Sequence, residues 1–83
     1  MPLYFFHVRD GKSGPDTEGS ELPDDAAARQ EAISAASETV GELGKKFWDG
    51  GDWILQVVEH TGRLVMTLRF SGSIDYPVEM AAQ

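Results

Sequence analysis

The chain has 83 residues, 41% hydrophobic and 10% aromatic, and 14 Asp and Glu against 7 Lys and Arg give a net charge of −7. That composition is globular and sized for one domain with a small core, which keeps an oligomeric interface in view. The absence of cysteine excludes disulfides, thiolate metal sites and cysteine nucleophiles, and few, scattered basic residues disfavour nucleic acid and anionic membranes.

The start, MPLYFFHVRD, lacks the basic and long apolar regions of a signal peptide. No stretch approaches the roughly 20 apolar residues of a membrane span. A soluble, cytoplasmic protein is expected, its acid excess serving solubility.

The first element is a strand over residues 3–9, LYFFHVR. Period two puts Tyr4, Phe6 and Val8 on one face and Phe5, His7 and Arg9 on the other. DGKSGPD supplies turn chemistry through Gly11, Gly14 and Pro15. Residues 16–22 suit a short second strand returning along the first.

A helix follows over about 24–44. Pro23 fixes its approach, and Asp24 or Asp25 is placed to cap the first turn. Leu22, Ala26, Ile33, Ala36, Val40, Leu43 and Phe47 recur at helical spacing as one apolar stripe. Asp25 and Arg29, and Glu42 and Lys46, are acid-first pairs four apart. Lys45 and Lys46 suit the negative end of the helix dipole, and Gly44 suits its carboxyl-terminal cap.

WDGGD reads as a connection. WILQVVEH (53–60) and LVMTLRF (64–70) read as strands of a hairpin turned by TGR. In the last strand, Leu64, Met66, Leu68 and Phe70 share one face, and Val65, Thr67 and Arg69 the other. The tail, residues 71–83, is partly ordered or flexible beside a single domain over 1–70.

The expected fold is α+β, order β(β)αββ. It is a small two-layer sandwich in which an antiparallel three- to four-stranded sheet carries one helix on one face. The opposite face then presents Phe5, His7, Ile54, Val58, Val65 and Arg69, too apolar for an ordinary solvated surface unless the tail covers it.

The acid-rich stretch PDTEGSELPDDA fails as a calcium loop. From Asp16, glycine comes two positions early, Ala27 stands at position twelve, and a strand precedes instead of a helix. A carboxylate dyad needs a cleft that splits two pKa values, which an exposed turn before a helix does not offer. His7 and His60, the two histidines, lack a third convergent ligand. No serine lies in a nucleophile elbow, and neither DGKSG nor DGGD has phosphate-loop spacing.

Three segments, MPLYFFHVRDG, DTEGSELPDDAAARQEA and TGRLVMTLRF, together resemble small bacterial proteins of domain of unknown function family 6894, frequent in rhizobia and related alphaproteobacteria. The likeness spans about residues 1–70. Its most specific motif falls on Asp16, Glu18, Gly19, Glu21, Leu22, Pro23 and Asp24. This chain departs at His60 and Thr61 of the hairpin and in a longer tail. The resemblance implies a single domain and no activity, cofactor or catalytic residue. The helix entry also looks like that of small antitoxin domains with a ββαβ sheet, an analogy of architecture.

The function expected is a non-enzymatic interaction module without a cofactor. It would bind a protein partner, or itself as a homodimer, through its open sheet face or edge, with Phe5, His7, Ile54, Val58 and Arg69 as contact residues. The alternatives are an antitoxin-like or regulatory protein neutralising a basic partner, and a metal- or ligand-binding protein using His7 and His60.

Overall fold

Aromatic and β-branched residues at alternating positions extend the chain into β1 (Leu3–Arg9) and, after a turn-rich loop, β2 (Ser20–Glu21). A long helix, α1 (Asp25–Leu43), a short one, α2 (Lys46–Gly50), and the hairpin β3 (Trp53–Glu59) and β4 (Leu64–Phe70) complete the order in the computed structural model, which describes residues 1–11, 13–50 and 52–74. The four strands form one antiparallel sheet in the order β2-β1-β3-β4. The expected α+β fold, with α1 on one face of an open sheet, is thus the observed one.

Directly opposed residues of antiparallel strands share a face, so the register assigns both faces. Phe6, Val57 and Met66 form one row, and Val8, Leu55 and Leu68 the next. Together with Tyr4, Trp53 and Phe70 they look toward α1. Tyr4, Trp53, Leu55 and Val57 are fully buried there against Ala28, Ala32 and Ala36. The Trp53 and Phe70 rings meet edge to face at 5.9 Å.

Two sequence expectations change. The stripe of α1 that meets the sheet is Ala28, Ala32, Ala36, Val40 and Leu43, whereas Ile33 is 48% exposed and Ala26 lies in solvent. Bulky sheet side chains such as Tyr4 and Leu55 fill the interlayer space, so the helix approaches on its smallest residues. Ranking positions by hydrophobicity alone favours the larger Ile33, which that spacing excludes. WDGGD, expected as a connection, instead contributes Trp48, Asp49 and Gly50 to α2. Gly44, at φ 52°, ends α1, and Phe47 then packs back on the core. With α1 stopped at Leu43, Glu42 and Lys46 no longer share a helix, and no basic residue stands in its last turn.

The cap is Asp24: its backbone is extended and its carboxylate accepts the Ala27 N–H at 2.8 Å. Leu22 enters beside it, its N–H donating to the Pro2 carbonyl at 3.0 Å, and packs on the core. The hairpin closes through Gly62, at φ 95°, with Glu59 N–H donating to Arg63 O at 2.9 Å. Of the tail, residues 71–74 follow β4 as irregular chain, and the remainder lies outside the described residues. Among the described residues no helix is long and apolar enough to cross a membrane.

Candidate interaction surface

The acid-rich motif is built as a clasp on the edge of β1. The two-residue β2 pairs only with Leu3 and Tyr4, so β1 would be left with free backbone groups from Phe6 onward. Asp16 fills that position. Its carboxylate accepts the Phe6 N–H at 3.1 Å and, within its own turn, those of Glu18 at 3.0 Å and Gly19 at 3.1 Å. Its own N–H donates to Nδ1 of His7 at 3.1 Å, which places the proton of a neutral His7 on Nε2. Burial pushes the Asp16 carboxyl up, but the Gly19, Phe6 and Glu18 amides together outweigh it and hold the group below the usual carboxylate range. Gly19, at φ 74°, lies flat against Leu3 and Phe5, so that a Cβ there would sit 3.0 Å from both side chains. Among the described residues Glu18 and Glu21 have no such partner, and they are exposed, as are Pro23 and Asp24.

A second polar cluster ties the hairpin to the start of α1. Arg63 donates both terminal nitrogens to the Asp25 carboxylate at 3.0 Å and reaches Glu59 at 3.4 Å. Tyr4 Oη donates to Asp25 at 2.8 Å, and Thr61 Oγ1 to Glu59 at 2.9 Å. Hydrogen bonds from Arg63 first, then from Tyr4, hold Asp25 below its ordinary range; Arg63 and then Thr61 do the same for Glu59. Burial, then the bond to Asp25, pushes Tyr4 up to about 12. Each of these shifts moves its group further from neutral pH, whereas a general acid or base works best with a pKa near the operating pH. Asp25 takes Arg63 in place of the Arg29 partner that helical spacing suggested. The sequence signal for this cluster was Gly62-Arg63 in the hairpin; its partner, 38 positions away, was legible only once the chain folded.

The sheet face turned away from α1 carries three full rows: Phe5–Val58–Leu64, His7–Gln56–Thr67 and Arg9–Ile54–Arg69. It therefore gathers Phe5, His7, Ile54, Val58 and Arg69, expected together from alternation alone. The register adds Arg9, Gln56, Leu64 and Thr67, and corrects Val65. Val57 opposes Met66 while the next residue, Val58, opposes Leu64. That bulge inserts one residue in β4 and reverses the facing of what precedes it. Val65 packs on the core, and Leu64, 54% exposed, joins the outer face. Phe5, His7, Ile54 and Val58 are half-buried, the Phe5 and His7 rings lie parallel with centroids 6.2 Å apart, and Gly19 shields one side of Phe5. None of Phe5, Ile54, Val58 and Leu64 packs against the core cluster. The Arg9 Nε–H donates to Gln56. Among the described residues the ion pairs all belong to Arg63, leaving Arg9 and Arg69 without a carboxylate partner. Beside Arg9 a pocket of about 230 Å³ opens between His7, Val8, Ser13 and Pro15.

The two histidines do not converge. His7 opposes Gln56 in mid-sheet, while His60 sits in the hairpin turn with its N–H on Leu3 O. Leu3 and His7 are four strand positions apart, or about 13 Å. Among the described residues no three His, Cys, Asp or Glu side chains gather as a metal site would require.

One family model, described as Domain of unknown function (DUF6894), matches residues 3–71. No curated protein and no solved structure matches the chain.

Proposed function

The chain belongs to the DUF6894 family, and we propose that it is a non-enzymatic protein-interaction module whose working surface is the outer face of the sheet. The observation that carries this reading is the pairing of two rows on that face. An apolar row, Phe5–Val58–Leu64, stands outside the core, and two arginines without carboxylate partners among the described residues flank Ile54. Aromatic and arginine side chains beside apolar ones, here at the two ends of the face with the His7–Gln56–Thr67 row between them, are side-chain types enriched in protein interfaces. On a chain of net charge −7, Arg9 and Arg69 give this face the opposite sign from the rest, so the partner it fits presents carboxylates beside apolar side chains. The carboxylates with depressed pKa, Asp16, Asp25 and Glu59, are bound to backbone amides or to Arg63, which supports a structural role for them.

The test compares partner retention by the wild type with that of two sets of variants in the native host. Val58→Glu and the Arg9→Glu/Arg69→Glu pair alter the outer face; Glu31→Lys/Glu38→Lys alters exposed acids of α1. A protein held by the wild type and by the helix variant, and lost from both face variants of unchanged circular dichroism, is the expected result. Loss only from the helix variant would instead support the antitoxin-like alternative, in which an acidic surface neutralises a basic partner.

A further inference from the structure

The two edges of the sheet are finished differently. On the β1 side, β2 pairs with Leu3 and Tyr4, and beyond it the Asp16 carboxylate takes the Phe6 N–H. On the other side, β4 runs seven residues with β3 on one flank and, among the described residues, no strand on the other. Every second residue of such an edge directs its N–H and C=O outward. Edge strands in monomers are ordinarily blunted by charged side chains, lysine above all, by proline, by bulges, by inward-facing charge or by shortness; β4 carries one outward charge, Arg69. β4 has no lysine, no proline and no inward-facing charge, and its bulge lies near one end, at Val65, leaving Met66–Phe70 regular. Its inward side chains, Met66, Leu68 and Phe70, remain half-exposed at the margin of the core.

We infer that β4 pairs with β4 of a second copy, antiparallel about a two-fold axis near Leu68, joining two four-stranded sheets into one of eight strands. The sequence of the strand selects this partner and this register. With the axis at Leu68, that residue faces its own equivalent, Met66 faces Phe70, and Thr67 faces Arg69. Apolar thus meets apolar on the inner face, and no like charges are opposed on the outer one. With the axis at Arg69, two guanidiniums stand directly opposite each other, which disfavours pairing. With the axis at Thr67, Arg69 must pair with Val65, the bulge residue, where the ladder is broken. An isologous contact of this kind closes at two copies. It stands independently of the outer-face reading, because main-chain groups and the inner row supply the contact.

The experiment is sedimentation of the full chain at low and high micromolar concentration, with hydrogen exchange of the β4 amides. A dimer is expected, in which alternate amides between Met66 and Phe70 gain protection as concentration rises. Thr67 is exposed, so the isolated fold tolerates substitution there. Thr67→Arg, which opposes Arg69 twice per dimer, should weaken association roughly tenfold, and Thr67→Glu should leave it as tight or tighter. Val58→Glu, on β3 opposite Leu64 and beyond the bulge from the regular Met66–Phe70 stretch, should not change it. A monomeric wild type, a dimer indifferent to Thr67→Arg, or one dissolved by Val58→Glu and not by Thr67→Arg would each overturn edge pairing. Only the last would place the self-contact on the outer face.

Discussion

Gly19 offers a way to measure how tightly the acid-rich clasp is fitted. It and Gly11 both adopt positive φ, 74° and 81°, so Gly→Ala at either position forces an L side chain into a disfavoured region at a cost of ~1–2 kcal/mol. The surroundings differ. Among the described residues a Cβ at Gly11 meets nothing within 4 Å, whereas at Gly19 it would stand 3.0 Å from Leu3 Cδ1, Leu3 Cγ and Phe5 Cε1. The backbones of Leu3 and Phe5 are held in β1 and the Gly19 amide is held by Asp16, so the two side chains must take up the strain. Overpacking of this kind adds about 1–3 kcal/mol. Gly19→Ala should therefore lower stability by that much more than Gly11→Ala in urea unfolding followed by Trp48 and Trp53 fluorescence, with an unchanged dependence on denaturant. Because Phe5 must move, Gly19→Ala should also perturb the Phe5 and His7 ring resonances, while Gly11→Ala leaves them in place. Equal losses at the two positions would refute the reasoning, since backbone conformation alone would then account for both.

Ala32→Leu, a change toward greater hydrophobicity on a helix, should destabilise by about 1–3 kcal/mol by pushing α1 off the sheet. Ile33→Lys next to it should stay within about 0.5 kcal/mol of wild type; thermal unfolding of the two variants reads the contrast. Tyr4 titrates at about 12 in the folded chain against an ordinary 10.0. Stability present below pH 10 should therefore be lost as pH rises toward 12, and Tyr4→Phe should remove that alkaline slope from stability measured across the range. The depressed carboxylates act at the other end: Asp16, Asp25 and Glu59 contribute stability above about pH 4–5 that should fall away as acid protonates them in the folded state.

Local chemistry alone determined much of this protein. Alternation in LYFFHVR, WILQVVEH and LVMTLRF set three strands and most of their facing, because a pleated strand has a side-chain period of two. The acid at 24 or 25 followed by an alanine-rich run marked where the helix begins, since free amides there need an acceptor. Which aspartate does so was decided by Tyr4 and Arg63, distant in sequence, which claim Asp25 and leave Asp24 to cap. The tertiary structure also decided which stripe of α1 faces inward, because interlayer spacing set by Tyr4 and Leu55 admits alanine and excludes Ile33. It exchanged Val65 for Leu64 through a single inserted residue that no periodicity announces. Finally, it gave Asp16 its partner: an edge amide of Phe6 that exists to be satisfied only once β1 has a neighbour on its other side.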